Sequence, residues 1–172
     1  MPNDTREPAE IMEHVIRSRV NLTAAIYGLS QEQLLTPGVV GRWTIKEVMA
    51  HIGRWEAICL HTLRDHIEGK PGGFLEHRDI LAYNDQWEAE LSKMTLLSSI
   101  MLFEQAHYQL FGFLAALQQE QWDSYVKGWV VSFCWQHFEE HTAQIFTWRV
   151  AQETAALAGK SAESGKSAES EA

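Results

Sequence analysis

The sequence predicts an all-α fold, an antiparallel four-helix bundle, on three observations. Four long stretches repeat apolar residues at steps of three and four, the spacing that puts them on one face of a helix. No stretch alternates apolar and polar residues as a half-buried strand would. Helix-start signals stand where the periodic stretches begin, and glycine and proline where they end.

The elements follow in order. Pro8 suits the first turn of a helix, and Ile11, Val15, Leu22, Ile26 and Leu29 share a face until Gly28 and Ser30 interrupt it. His14 sits beside that stripe and reads as a polar boundary residue. Ser30 with Gln33 forms a capping box for a short turn, Gln31 to Leu35, before the break at Thr36-Pro37-Gly38. The strongest start lies at Thr44, with Glu47 as its reciprocal partner and Trp43 placed to staple onto Val48. The inner face of this second helix reads Val48, His51, Ile52, Trp55, Cys59, Leu63 and Ile67, and it stops at Gly69-Lys70-Pro71-Gly72-Gly73. His61 and His66, among Arg64, Asp65 and Glu68, belong to a solvated face.

Phe74 to Asp79 reads as a loop, a candidate lid, and Ile80 to Leu91 as a short irregular helix. Thr95 caps a third long helix whose stripe runs Ile100, Phe103, His107, Leu110, Leu114 and Leu117, with bundle-like heptad steps. Gln118 to Lys127 is polar and reads as a connection. The fourth long helix starts near Trp129, and its stripe is Val130, Cys134, His137, His141, Ile145 and Trp148. From Gly159 the segment Gly-Lys-Ser-Ala-Glu-Ser occurs twice in succession, a low-complexity, solvated pattern expected to be disordered. The domain is therefore drawn as 1–158 and the tail as 159–172.

Composition narrows the function. Fourteen Lys plus Arg against twenty-three Asp plus Glu leave a net charge of −9 with no basic cluster, so nucleic acid is not an expected partner. Met1-Pro2-Asn3-Asp4-Thr5 carries no basic-then-apolar leader, and no apolar run reaches membrane-spanning length. The expectation is a cytoplasmic protein that meets neither membrane nor nucleic acid. Cys59 and Cys134 are too few and too distant for a disulfide framework and fall in helical stripes, as buried free thiols do. A homodimer is compatible with such a bundle, although no exposed apolar face demands one.

The chemistry concentrates at His137-Phe138-Glu139-Glu140-His141. Two imidazoles four residues apart share a helix face and suit one divalent ion. Both fall on the apolar stripe, where each needs a hydrogen-bond partner or a metal. A third ligand is needed for a catalytic centre of the zinc type, which keeps one position open. His51 and His107 are the two stripe histidines able to supply it. The same five residues fit the inverted zinc-peptidase pattern with Glu140 as general base. That family needs a further acidic ligand downstream in a large α+β domain, and here only Glu153 and the tail glutamates follow.

Trp43-Thr44-Ile45-Lys46-Glu47-Val48-Met49-Ala50-His51-Ile52, then Trp55-Glu56, and the distant His137-x-x-x-His141 resemble the DinB/YfiT-like superfamily of four-helix bundles, from about Ile11 to Arg149. The resemblance implies a divalent metal held by His51, His137 and His141, with His107 left as a pocket or supporting group. It also implies a mixed chemistry. Some members of that family are similar to S-transferases using bacillithiol, mycothiol or glutathione, others to a thiol-dependent maleylpyruvate isomerase, and others to hydrolytic self-protection proteins.

The function expected is thus a metal-dependent, thiol-using S-transferase or detoxification enzyme acting on a small electrophile. A hydrolase on the same site and a non-catalytic metal- or ligand-binding stress protein are the alternatives. Trp55 and Trp135 are candidates for an apolar wall, and Glu56, Asn84 and His107 for polar groups of the pocket. Arg54 and Arg149 are the candidates to meet the carboxylates of a low-molecular-weight thiol. Imidazole ligands suit zinc, nickel, iron and copper alike, so the metal is not named.

Overall fold

The computed structural model describes residues 5–70 and 80–169. Helix α1 spans Pro8–Ile26, and Gly28, at φ 80°, follows its end. The one-turn α2, Gln31–Leu34, carries the expected box: Ser30 Oγ accepts from Gln33 N at 3.2 Å and Gln33 Oε1 from Ser30 N at 2.9 Å. Helix α3, Ile45–Ile67, starts on the Thr44–Glu47 box, with the Glu47 carboxylate 2.7 Å from the Thr44 amide. Gly69, at φ 67°, lies in the turn that ends it. Helix α4 is Ile80–Leu91, while the lid expected over Phe74 to Asp79 lies outside the described residues.

Helix α5, Leu96–Ala116, is capped by Thr95, whose Oγ1 accepts from Ser98 N. Its buried positions are Ser99, Phe103, Ala106, Leu110 and Leu114. Ile100, expected in that stripe, stands exposed. Small Ser99 and Ala106 suit the close contact with α3, where a Cβ on Gly53 would lie 2.9 Å from the Leu102 backbone.

The expected connection up to Lys127 is more ordered than its polarity implies. A 3₁₀ turn, Gln119–Gln121, leads to α6, Ser124–Val130. This helix begins five residues before Trp129 because Asp123 caps it, accepting from Val126 N at 2.9 Å. His66 is not a freely solvated residue: its Nε2 donates to Asp123 at 2.7 Å and its ring stacks on Tyr125, pinning the end of α3 to this cap. The chain then continues through a π-helical turn, Val131–Gln136, straight into α7, His137–Glu169.

The side-chain contacts fix the directions of the long helices. His14 of α1 stacks on Trp135 just before α7, and Arg149 of α7 reaches the Ala25 carbonyl, so α1 and α7 run parallel. Lys46 meets Ser92 and Met94, Gly53 meets Leu102, and Glu56 meets His107, so α3 and α5 are also parallel. His51 faces both His137 and His141, with Trp55 beside Phe133, which sets α3 antiparallel to α7. The bundle is therefore up-down-down-up, its parallel central pair joined by the crossover that contains α4.

Helix α7 runs to Glu169, past Gly159 where disorder was expected. Ala, Glu and Lys are good helix formers, and extending a helix that already exists avoids the cost of nucleation. Positions 151–159, which lead into this extension, are all exposed. Large apolar side chains also stand exposed on α1 (Ile16, Val20) and α7 (Phe146, Val150, Leu157), a surface not foreseen from the stripes. Both cysteines are buried and free, and among the described residues no helix is long and apolar enough to cross a membrane.

Candidate metal centre

The capping box starts α3 at a fixed residue, and two turns later the helix delivers His51, 4% exposed, to the bundle interior. His137 and His141 arrive from the first turns of α7. His51 Nε2 and His141 Nε2 each lie 3.0 Å from His137 Nε2, and the three atoms fall within 4.8 Å of one another. Burial pushes the pKa of His51 down to about 2 and that of His137 to about 3, with neighbouring imidazoles adding to the effect. His141 is lowered by burial as well. All three rings are therefore neutral near pH 7 and offer lone pairs.

The donor set fits a metal better than it fits a hydrogen-bond cluster. A neutral ring nitrogen carries either one proton or one lone pair, so His137 Nε2 cannot make two good hydrogen bonds to its two neighbours. Two nitrogens 3.0 Å apart can each lie about 2.1 Å from one common ion. His51 Nδ1 and His137 Nδ1 have no hydrogen-bond partner of full geometry, although the Phe133 carbonyl close to His137 favours its protonated ring. His141 Nδ1 donates to Gln144 Oε1 at 2.7 Å.

A pocket of about 370 Å³ opens beside the three rings. Trp43, Trp55, Phe133 and Val40 give it apolar faces; Asn84, Ser132, Gln136, Glu140 and Gln144 give it polar ones. Trp55 stacks on Phe133 with ring centres 5.1 Å apart, and its Nε1 donates to Asn84 Oδ1 at 3.2 Å. The crossover helix α4 thereby contributes to the pocket.

The other expected pocket residues lie elsewhere. Glu56 is fully buried away from the mouth, accepting from His107 Nδ1 at 2.7 Å with Arg19 Nη1 3.6 Å from its other oxygen. Burial raises the Glu56 pKa, and His107 and Arg19 oppose that rise. His107 thus serves a buried charge cluster that ties α1, α3 and α5 together, and neither it nor Glu56 lines the pocket. Trp135 is not a wall: it lies between His14, 4.0 Å from its ring centre, and Arg6, 4.2 Å above it. Arg54 pairs with Glu90 at 2.8 Å over the Trp87 ring. Arg149 caps the end of α1 through the carbonyls of Ala25 and Tyr27. Neither arginine is placed to meet a ligand in this pocket.

Phe133, Gln136 and Gln144 were missed as site residues. Phe133 stands four residues before His137, the spacing that shares a helix face, so residue number alone pointed to it. Gln144 carried a readable signal, standing three residues after His141 and four after Glu140.

Fold and site together define a helical bundle with an inward-facing three-histidine cluster beside a small pocket. The chain belongs to the DinB superfamily, which it matches over residues 14–155. No curated protein matches it in sequence. Solved structures show the same fold at low identity. A protein from Escherichia coli UTI89 superposes with a TM-score of 0.70 at 8% identity, over 86% of this chain and 95% of that one. The sibling lethal factor precursor DfsB gives 0.70 at 17%, over 87% and 98%. The colibactin self-resistance protein ClbS, solved in complex with double-stranded DNA, gives 0.68 at 8%, over 84% and 96%.

Proposed function

We propose that this protein is a cytoplasmic, divalent-metal-dependent enzyme acting on a small electrophile, with His51, His137 and His141 as the metal ligands. The observation that carries the reading is the convergence of three Nε2 atoms beside a pocket of about 370 Å³. A divalent ion held there would act as a Lewis acid and lower the pKa of a water or thiol bound to it. The chain supplies the rest. Trp43, Trp55 and Phe133 exclude water and offer faces to an apolar substrate. With its oxygen occupied by Trp55, Asn84 keeps its NH₂ as a donor, and Ser132 and Gln136 add polar contacts.

Two nucleophiles suit this site, and they define S-transfer and hydrolysis. Hydrolysis is favoured by the side chains, because a thiol bearing carboxylates calls for cations. Arg54 and Arg149 are engaged elsewhere, and the described pocket lining contains no lysine or arginine. The DNA in the ClbS complex belongs to that protein. Here Glu140 lines the pocket and the chain carries a net charge of −9, so a small molecule is the partner we propose. The working domain is 1–158, in keeping with a family match that ends at residue 155.

The test is metal content of untagged protein purified without chelator, followed by parallel assays of ester hydrolysis and of thiol addition to an electrophile. About one equivalent of metal, lost in His51→Ala and His137→Ala, with metal-dependent turnover is the expected result. Turnover only with added thiol makes the protein an S-transferase, and metal without turnover makes it a binding protein. Absence of metal, or metal indifferent to both substitutions, overturns the reading.

A further inference from the structure

We propose that Glu140 and Gln144 are positioning residues that fix which nitrogen of His141 faces the metal, an inference that rests on the metal-centre reading above. The argument is one of hydrogen-bond polarity along one helix face. A carboxylate only accepts. Gln144 Nε2 lies 3.3 Å from Glu140 Oε1, so the NH₂ end of the amide is committed to Glu140. The oxygen of the same amide then faces the other way, 2.7 Å from His141 Nδ1. A carbonyl oxygen also only accepts, so Nδ1 must carry the proton. A neutral imidazole, the form that binds a metal, has one proton. Nε2 is therefore left with its lone pair, and Nε2 is the atom that stands in the three-histidine cluster.

Glu140 thus acts two hydrogen bonds away from the cluster, without touching a ring. This gives the glutamate of His137-x-x-Glu140-His141 a role other than the general base of the inverted zinc peptidases. His51 Nδ1 has no hydrogen-bond partner and His137 Nδ1 has only the nearby Phe133 carbonyl, so His141 is the ligand whose tautomer a side-chain relay sets in advance. Supporting groups of this kind tune metal affinity by 10- to 100-fold.

The first experiment reads the tautomer directly, by ¹⁵N NMR of the histidine rings in metal-free protein at neutral pH. His141 is expected as the Nδ1–H form. Gln144→Leu should release it to a mixture. Glu140→Lys should go further, because an ammonium donates to the amide oxygen and turns the NH₂ end toward His141, favouring Nε2–H. The second readout is Zn²⁺ affinity by chelator competition at high salt, which screens the added charge. Gln144→Leu should weaken binding about 10- to 100-fold, and Glu140→Lys should cost much less in the Gln144→Leu background than alone. An Nε2–H tautomer in the wild type, or affinity in Gln144→Leu within twofold of wild type, overturns the relay. A wild type that binds metal while Gln144→Leu binds it equally well overturns the relay alone. A wild type that binds no Zn²⁺ overturns the metal-centre reading, and the relay's purpose with it.

Discussion

Gly53→Ala sets two effects of opposite sign against each other, and the contact between α3 and α5 decides the outcome. In an isolated helix, alanine for glycine gains about 1 kcal/mol. Here the new Cβ would meet the Leu102 carbonyl carbon, carbonyl oxygen and Cγ, each at 2.9 Å. Ordinary contact is about 0.5 Å longer, and two of the three atoms are backbone that no rotamer change can move aside. The helices must separate instead. They are held on either side of this point by Lys46 on the Ser92 and Met94 carbonyls and by Glu56 on His107. Overpacking of this sort costs about 1–3 kcal/mol, and with the barrier to separation on both flanks the upper part of that range applies. Gly53→Ala should therefore be about 1–2 kcal/mol less stable than wild type in urea unfolding at pH 7.5. Stabilisation by about 1 kcal/mol, as helix propensity alone requires, would refute the claim that backbone contact dictates glycine here.

Acid should destabilise the metal-free protein through the same cluster. His51 and His137 have native pKa values near 2 and 3 against about 6.5 unfolded, so between those limits the unfolded chain binds more protons and stability falls as pH falls. At pH 5 this amounts to about 2 kcal/mol per histidine, measurable by urea unfolding in the presence of a chelator. A His51→Gln/His137→Gln variant with an equally steep pH slope would show that other groups are responsible. Glu56→Ala removes the buried carboxylate shared by Arg19 and the half-buried His107, leaves Arg19 only the exposed Glu104 and should cost about 2–4 kcal/mol, whereas Glu56→Gln, which still accepts from His107, should cost less. Neither should alter Zn²⁺ affinity, and a loss of affinity in the Gln variant would return Glu56 to the site.

The fold was legible because its signals are local. The Thr44–Glu47 box set the start of α3, and the stripe steps turned His51, His107, His137 and His141 inward, while the family resemblance singled out His51 rather than His107 as the third of the cluster. Glu56 was misjudged through its charge, yet it stands four residues after Ile52 and three before Cys59, on the buried stripe itself. Trp135 suggests a wall by residue type alone, since the stripe Val130, Cys134, His137 and His141 passes it by, whereas Phe133, four residues before His137, is the aromatic on the histidine face. The uses of Arg54 and Arg149 were beyond local reading. Each is settled by a partner on another element, Glu90 on α4 and the last carbonyls of α1.

The up-down-down-up order also has a consequence in time. His51 waits for His137, 86 residues further along the chain, and α1 waits for α7 to lie beside it. At about 5–20 residues per second of synthesis, roughly 4–17 s pass between making the first histidine of the cluster and making the second. During that interval the face of α3 that carries Trp55 and His51 has no α7 to cover it. A chain stopped short of Gln144 would lack the last support of its cluster, so the centre comes together only when nearly the whole domain has been made.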